Sequence, residues 1–253
     1  KSEKFKKDQK YWEEIFARIP EITKIPGSIK KCENENNPKA KRKQFKLNKE
    51  QVIKIKEFCK ENRISVYNFF MAVYGIYIGE ISNLNEFVIG TPILNRTNYK
   101  EKNTAGLFIN MLPFKININE KQEFKEYLRE IAIDSMQMLK HQKYSYQYIL
   151  EDLRKKDNNI PSLYNILLSY QITNANNSGE NVNYTAKWLF NGNCAEDIDI
   201  QIYDLDDTGS LDIAYDYRTS LYNDTDMERM HNRIINMIEQ ILQNEDIKIQ
   251  DID

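Results

Sequence analysis

The chain has 253 residues, of which 41% are hydrophobic and 29% are charged, with only 8 Gly and 6 Pro. This composition excludes disordered, collagen-like and low-complexity proteins and predicts a sizeable hydrophobic core. The 36 basic and 38 acidic residues nearly cancel, which argues against a dedicated nucleic-acid-binding protein, because such proteins need a positively charged face.

The first half of the chain is predicted to alternate helices with short strands. A helical period of apolar residues runs from Glu3 to Ile19. The polar segment 32–43 has no periodicity and is predicted to be a loop that leads into a short strand at Gln44–Leu47. Asn48 and Ser65 are predicted to cap two helices, and the second of these is apolar on most sides, which is typical of a central helix.

The middle of the chain is predicted to form two strands followed by two helices. In order, these are a buried strand at Phe87–Gly90, a strand across Leu107–Ile118 that is kinked at Pro113, a long amphipathic helix at Glu120–His141 and a shorter helix at Tyr144–Leu153. Helices and strands that alternate in this way favour an α/β fold.

The last third is predicted to be rich in strands and to end in a helix. The predicted strands are Leu163–Tyr170, Val182–Trp188, Ile198–Tyr203 and Leu211–Tyr217, with a turn at 206–209 between the last two. Asp224 or Thr225 is predicted to cap the final helix. The alternating Ile198, Ile200 and Ile202 predict an apolar face that seeks an apolar partner and is partly exposed where that partner is absent. The whole pattern predicts an α/β fold: one mixed β-sheet with helices packed on one face.

Neither the histidines nor the cysteines form a recognisable catalytic or metal-binding motif. His141 ends a predicted helix, where its charge would be favourable, and His231 is predicted to lie on a helix surface. Three widely spaced cysteines predict reduced thiols in a cytoplasmic protein, without a disulfide framework or a metal site. No apolar run is long enough to predict a membrane span.

Several segments carry motifs that occur in the same order in one known family. They are DQKYWEEIF (8–16), IGTPILNR (89–96), AGLFINMLPFKI (105–116), HQKYSYQ (141–147), PSLYNILLSYQ (161–171) and the run 198–223. This collinear set resembles the C-terminal half of a condensation domain of nonribosomal peptide synthetases, in the chloramphenicol acetyltransferase-like superfamily. Two motifs depart from the family pattern: Lys115 stands where Arg is usual, and Ser145 and Gln147 replace Pro and Glu in (H/N)QDYPFE.

The resemblance implies a fold of two lobes, of which residues 1–253 are the C-terminal subdomain. The family's HHxxxDG motif belongs to the N-terminal lobe, and the chain has no HH pair. The catalytic histidine is therefore expected in that other lobe, and a chain that begins without Met is expected to be part of a longer polypeptide. The implied reaction joins a donor acyl or peptidyl thioester to an aminoacyl acceptor, and this fragment alone is expected to be inactive.

The resemblance also implies partners and site residues. The partners are peptidyl and aminoacyl carrier proteins and the N-terminal lobe; the carriers' phosphopantetheine arms are substrates, and no cofactor binds directly. Asn110, Ser169 and Gln171 are expected to border the substrate channel. A second set is expected on the loop that floors the junction between the lobes: Thr91, Pro92, Asn95 and Arg96.

Alternatives remain at this point. Asn110 could brace the backbone beside Pro113 rather than orient a substrate carbonyl or the histidine, and Ser169 and Gln171 could serve sheet hydrogen bonding. The chain could be an inactive module that docks carrier proteins, an epimerization or cyclization variant of the same fold, or part of a free-standing acyltransferase. The FINMLP sequence leans toward condensation.

Overall fold

The computed structural model describes residues 2–28, 37–173, 188–205 and 209–253. The helices are α1 (Glu3–Ile15), α2 (Lys49–Glu61), α3 (Val66–Ser82), α4 (Tyr99–Lys102), α5 (Phe124–Lys140), α6 (Tyr146–Arg154) and α7 (Asp224–Gln243). The strands are β1 (Ala40–Lys46), β2 (Glu86–Ile93), β3 (Asn110–Asn117), β4 (Ile166–Thr173), β5 (Ile198–Leu205) and β6 (Ser210–Arg218). A short 3-10 helix, Ile249–Asp251, follows α7.

The strands form one mixed sheet in the order β1-β6-β5-β4-β2-β3. The outer pairs are antiparallel, whereas β4 runs parallel to both of its neighbours, β2 and β5. The junction of β2 with β4 has a single registered pair, Gly90 with Leu167. Pro113 is tolerated in β3 because this is an edge strand, where a missing N–H removes no ladder bond on the outer side.

Helices α2, α3, α5 and α7 form a layer on one face of the sheet, whereas α1 and α6 lie on the opposite face at its β3 end. The central helix α3 is buried along most of its length and contacts α2, α5, α7 and β2. Ile198, Ile200 and Ile202 have no exposed surface and join this core. The expectation that part of this face is exposed is therefore wrong, because this side of β5 packs against the helices of the same chain.

At the β3 end of the sheet, α1 and α6 pack against each other and lie near β3. Lys115 points away from the core residue Phe114 and donates to the carbonyl of Ile15 at the end of α1, at 3.5 Å. Tyr164 covers Gly90 on this same side of the sheet. The remaining part of the face opposite the helix layer carries mainly polar side chains of β1, β4, β5 and β6.

The predicted caps are largely confirmed. Asn48 forms a capping box with Gln51, and the Ser65 hydroxyl accepts from the amide of Asn68. The N-cap of α7 is Asn223 rather than Asp224 or Thr225. The Asn223 side chain accepts hydrogen bonds from the backbone amides of residues 225 and 226.

The predicted loop at 32–43 is wrong in its last part, because β1 begins at Ala40 and pairs with β6. Cross-strand pairing organises these polar residues, which local periodicity cannot show. The strand expected at 182–188, except for Trp188, and the turn residues 206–208 lie outside the described residues.

His231 is buried, which contradicts its prediction as a surface residue. Its ring is 8% exposed, stacks on Phe45 with centroids 3.9 Å apart, and lies 3.3 Å from the Tyr215 hydroxyl through Nδ1. Because α7 packs over β1, the side of the helix that carries His231 faces the sheet. Burial lowers the pKa of His231 to about 4.

We expect this buried histidine to make stability depend on pH. The unfolded chain has an ordinary histidine pKa of about 6.5, so it binds more protons than the folded chain between about pH 6.5 and pH 4. The free energy of unfolding should therefore fall as the pH falls through this window, by about 2 kcal/mol from this group.

Urea unfolding of the wild type and His231→Phe at pH 7 and pH 4 checks this expectation. Phe keeps the stack on Phe45 but cannot titrate, so the stability difference between the two proteins should shift in favour of the variant at pH 4. An identical pH dependence in both proteins would contradict the assignment.

Among the described residues, no single helix is long and apolar enough to cross a membrane. One bent pair, α2 with α3, meets the length and composition criteria together, with an angle of 104° between the helices. Cys59 and Cys194 are free buried thiols. Burial raises the pKa of Cys59 to about 12 and that of Cys194 still further, so neither is poised as a nucleophile. Cys32 lies outside the described residues.

Candidate functional site

Asn110, the first residue of β3, joins two of the sequence motifs. Its side-chain Nδ2 donates to the carbonyl of Gln142 at 3.1 Å and lies 3.5 Å from the carbonyl of Tyr144. Both carbonyls belong to the turn between α5 and α6, which carries the HQKYSYQ motif. Within the described residues the Asn110 Oδ1 atom has no donor partner, so the same side chain braces a turn and leaves one acceptor open.

Arg96 organises the loop between β2 and β3 from within. Its guanidinium donates to the carbonyls of Glu101 and Thr104, the latter at 2.7 Å, and to the carbonyl of Gly106 at 2.7 Å. The guanidinium also lies over the ring of Phe108, 4.2 Å from its centroid. A guanidinium with several fixed donors suits this task, because it can bind several backbone carbonyls at once. Arg96 therefore holds the residue 94–109 loop in a single shape.

A second contact ties this loop to the turn that Asn110 braces. The Lys143 Nζ atom donates to the carbonyl of Asn95 at 2.8 Å and to the Glu101 carboxylate at 2.9 Å. That carboxylate also accepts from the Thr97 amide at 2.7 Å. The bond from Lys143, with further help from Thr97, lowers the pKa of Glu101 to about 2, so the ion pair persists throughout the physiological range. Asn95 itself adopts a left-handed conformation, with φ of 53°.

The first motif, DQKYWEEIF, meets the same turn from the other side. The Asp8 carboxylate is 2.8 Å from Nδ1 of His141, and the Tyr11 ring stacks on the imidazole with centroids 4.1 Å apart. The indole of Trp12 donates to the His141 carbonyl at 3.3 Å. His141 is also the C-cap residue of α5. It therefore serves as an anchor between α1 and the turn.

Two of the four expected floor-loop residues lie in a strand. Thr91 and Pro92 belong to β2, where they pair with Leu112 and Met111 of β3. Thr91 is buried, and its hydroxyl accepts from the Tyr67 hydroxyl at 3.0 Å on the helix side of the sheet. Their placement on the loop is wrong because antiparallel pairing continues through both positions. Asn95 and Arg96 do lie on the loop.

Ser169 and Gln171 lie on the face of β4 that points away from the helix layer. The Gln171 amide lies 3.4 Å from the Ser169 hydroxyl as a donor. Ser169 is paired in register with Gln201 of β5, and Gln171 with Tyr203. The structure therefore places these two residues on one face, as predicted.

A buried ion pair supports this polar face. Arg42 of β1 donates from Nε and Nη2 to the Asp216 carboxylate of β6, at 2.6 and 2.8 Å. Gln201 donates to the same carboxylate at 2.7 Å and accepts from the hydroxyl of Tyr203. The ring of Trp188 stacks on Tyr203, with centroids 4.9 Å apart. Arg42, Asp216, Gln201 and Tyr203 are thus joined in one hydrogen-bonded network beside Ser169.

Few described groups have the electrostatics of an acid–base catalyst. Burial, reinforced by Glu196, raises the pKa of Asp199 to about 7. This carboxyl also lies on the sheet face opposite the main helix layer, but burial and the neighbouring carboxylates explain the shift without a substrate. Within the described ranges, no group of three or more His, Cys, Asp or Glu side chains could hold a metal ion.

Sequence reasoning missed Lys143 and Glu101. Lys143 occupies the third position of HQKYSYQ, where the family pattern has Asp, and this exchange of charge was the available signal. Glu101 gave no local signal, because its partner is 42 residues away in the chain.

Comparisons with known proteins agree with these motifs. The family model described as "Condensation domain" matches residues 1–253. Surfactin synthase subunit 1 of Bacillus subtilis (strain 168) is 30% identical over 241 residues, which are 95% of this chain and 7% of that protein. Gramicidin S synthase 2 of Brevibacillus brevis is 24% identical over an alignment of 255 positions, which covers 100% of this chain and 6% of that protein.

Solved structures share the fold. A holo four-domain nonribosomal peptide synthetase superposes with a TM-score of 0.86 at 18% identity, over 97% of this chain and 20% of that one. The condensation domain of the Monacolin K polyketide synthase gives a TM-score of 0.79 at 18% identity, over 97% of this chain and 59% of that one. This chain therefore spans only a part of each of these relatives. With a family model that matches from the first residue to the last, the chain belongs to the condensation-domain family.

Proposed function

We propose that this chain is the C-terminal lobe of a nonribosomal peptide synthetase condensation domain and is incomplete as a catalyst by itself. The intact domain would form an amide bond between a donor acyl or peptidyl thioester and an aminoacyl acceptor. Both substrates would arrive on the phosphopantetheine arms of carrier proteins. The catalytic histidine would belong to the N-terminal lobe, where the family has its HHxxxDG motif; the 253 residues contain no HH pair.

Two length comparisons support the assignment to one lobe. The chain covers 59% of the solved condensation domain named above and 54% of the first condensation domain of the calcium-dependent antibiotic synthetase. The superposition with the latter includes the whole of this chain, with a TM-score of 0.75. One lobe of a two-lobed domain is expected to cover about half of it.

The observation that carries the proposal is the meeting of three family motifs at one corner of the sheet. Asn110 of AGLFINMLPFKI donates to the HQKYSYQ turn, and Lys143 of that turn donates to Asn95 of IGTPILNR. Segments far apart in sequence are thus bound together by side chains that the motifs themselves supply. Such an arrangement serves a reaction that needs a fixed wall more than it needs a nucleophile.

Amide formation from a thioester places specific demands on this wall. The acceptor amine must be oriented, water must be excluded, and the developing oxyanion needs donors. Ser169 and Gln171 offer a hydroxyl and an amide on the sheet face opposite the main helix layer, and Asn110 offers an open Oδ1 atom close to the turn. We assign these residues to the channel wall, while Asn95 and Arg96 shape the loop at the floor.

Turnover of the longer natural protein tests the proposal. A protein that includes the region upstream of residue 1 and the present chain would each be supplied with loaded donor and acceptor carrier proteins. Mass spectrometry should detect the amide product on the acceptor carrier only with the longer protein. If neither form makes product while both bind the carriers, the chain is a docking module. Epimerized or cyclized product would identify a variant chemistry of the same fold.

Asn110→Ala in the longer protein distinguishes a channel role from simple bracing. We expect turnover to fall about tenfold to a hundredfold, because loss of one oriented polar group and a shift of the turn both disturb positioning. Asn110→Asp keeps an acceptor at this position but loses the donor that braces the turn. If Asn110→Ala lowers the melting temperature and leaves turnover unchanged, the residue only braces the backbone.

A further inference from the structure

We propose that Lys143 and Glu101 are positioning residues, which fix the 94–109 loop against the turn 141–145 for the amide-forming reaction. This inference rests on the proposed function. Neither residue is placed in contact with a substrate. Their role is to keep the 94–109 loop and the turn 141–145 in a fixed position relative to each other.

The contact between them is more than a surface ion pair. The Lys143 ammonium divides its donors between the Glu101 carboxylate and the backbone carbonyl of Asn95, and both side chains are mostly buried, with 29% and 23% of their surfaces exposed. The Glu101 Oε2 atom also accepts from the amide and the hydroxyl of Thr97, at 2.7 and 3.1 Å. An isolated exposed pair contributes little to stability. Here the pair reaches the backbone at two points of the loop and so restricts its path.

Further hydrogen bonds hold the loop and the turn on either side of the Lys143–Glu101 contact. Arg96 binds the carbonyls of Thr104 and Gly106, and Asn110 binds that of Gln142. Lys143 directly follows Gln142, so the donor and acceptor points on the turn are adjacent. Without Lys143, the part of the loop before α4 would keep its internal bonds but lose its tie to the turn.

This chain supplies the pair in place of the residue that the family pattern has there. The pattern (H/N)QDYPFE has an anion at the third position, whereas HQKYSYQ has the cation Lys143. A half-buried cation without an anion would be unfavourable, and Glu101 of the short helix α4 provides that anion. Lys143 and Glu101 therefore form an ion pair that is lost when either residue is replaced.

The loop that they fix carries several exposed apolar side chains. These are Leu94 at 73%, Tyr99 at 84%, Leu107 at 86% and Ile109 at 54% exposure. Apolar groups on a mobile loop would lose entropy when they pack against another surface, whereas a pre-ordered loop avoids that cost. Ordering of this loop also fixes Asn110, which follows Ile109 directly.

The test compares variants of the longer natural protein in two measurements. Lys143→Met removes the donor, Lys143→Arg keeps a cation, and Glu101→Gln removes the charge. Lys125→Met is the matched control, because Lys125 has a side-chain exposure of 24% and pairs with Glu245 at 2.6 Å, away from this loop. Hydrogen exchange reports the protection of the Thr97 amide, and steady-state kinetics report kcat and KM for amide formation.

We expect Lys143→Met and Glu101→Gln each to lower kcat about tenfold with KM nearly unchanged, because misplaced groups cost rate rather than binding. Protection of the Thr97 amide should fall in the same variants. The double variant should be no worse than either single one, since both remove one contact. Lys143→Arg should recover most of the rate, and Lys125→Met should match the wild type.

Full kcat in Lys143→Met would overturn the inference, as would a lower kcat with unchanged protection of the loop. These results are distinct from failure of the proposed function itself. In that case the wild-type protein forms no amide, and the positioning role falls with the reaction that it serves, whatever the exchange data show.

Discussion

Asp216→Ala is expected to lower the free energy of unfolding by about 3 to 5 kcal/mol, because it leaves the buried Arg42 guanidinium without its anion. The Asp216 side chain is 3% exposed and that of Arg42 14%. Asp216 accepts from two nitrogens of Arg42 and from Gln201, so its removal leaves several donors unpaired at once. Urea unfolding of this chain, followed by circular dichroism, measures the loss.

Two controls separate burial from charge in this experiment. Glu50→Ala removes the partner of Lys54 in an exposed pair on α2, with side-chain exposures of 77% and 58%, and should cost far less stability than Asp216→Ala. The double change Arg42→Met with Asp216→Leu removes both charges and should restore most of the lost stability. If Asp216→Ala costs no more than Glu50→Ala, the pair does not support the polar face in the manner described.

Loss of Asp216 should also affect the candidate site. Gln201 lies between Asp216 and the registered position of Ser169, and its amide is oriented by the same carboxylate. Loss of Asp216 should therefore loosen the wall beside Ser169 in addition to lowering stability. Under the proposed function, Asp216→Ala is therefore expected to reduce amide formation by the longer protein even at temperatures where it remains folded.

Gly90→Ala is expected to cost about 1 to 3 kcal/mol, because an added methyl group would overlap the ring of Tyr164. A Cβ atom at residue 90 would lie 2.4, 2.6 and 2.7 Å from three carbons of that ring. Tyr164 is itself buried, with 4% exposure, so the ring has little room to withdraw. Gly90 is also the residue at which β2 registers with β4, so a shift there separates β2 and β3 from the rest of the sheet.

Replacement of Tyr164, the other residue of this contact, supplies the control. In a Tyr164→Leu background the smaller side chain leaves space, and Gly90→Ala should then cost clearly less than in the wild-type background. Unfolding of the four proteins gives the coupling between the two positions. Equal costs of Gly90→Ala in both backgrounds would show that the ring is not the obstacle.

Local patterns predicted much of the fold because they report local physics. The helices begin after Asn48 and Ser65, whose side chains satisfy exposed amides that no turn of helix can satisfy. The apolar run of α3 predicted its central position, since a helix without a polar side has to be covered all round. β1 was partly missed, because its polar residues gain their order from pairing with β6 rather than from periodicity.

The amino-acid sequence by itself determined the α/β class, the order of the elements and the motifs that mark the condensation-domain family. The tertiary structure alone decided that His231 is buried, that Thr91 and Pro92 belong to β2, and that Lys143 meets Glu101. The reason is that periodicity and caps act over a few residues. Burial and ion pairing depend instead on which distant segments the folded chain brings together, as the contact between residues 101 and 143 shows.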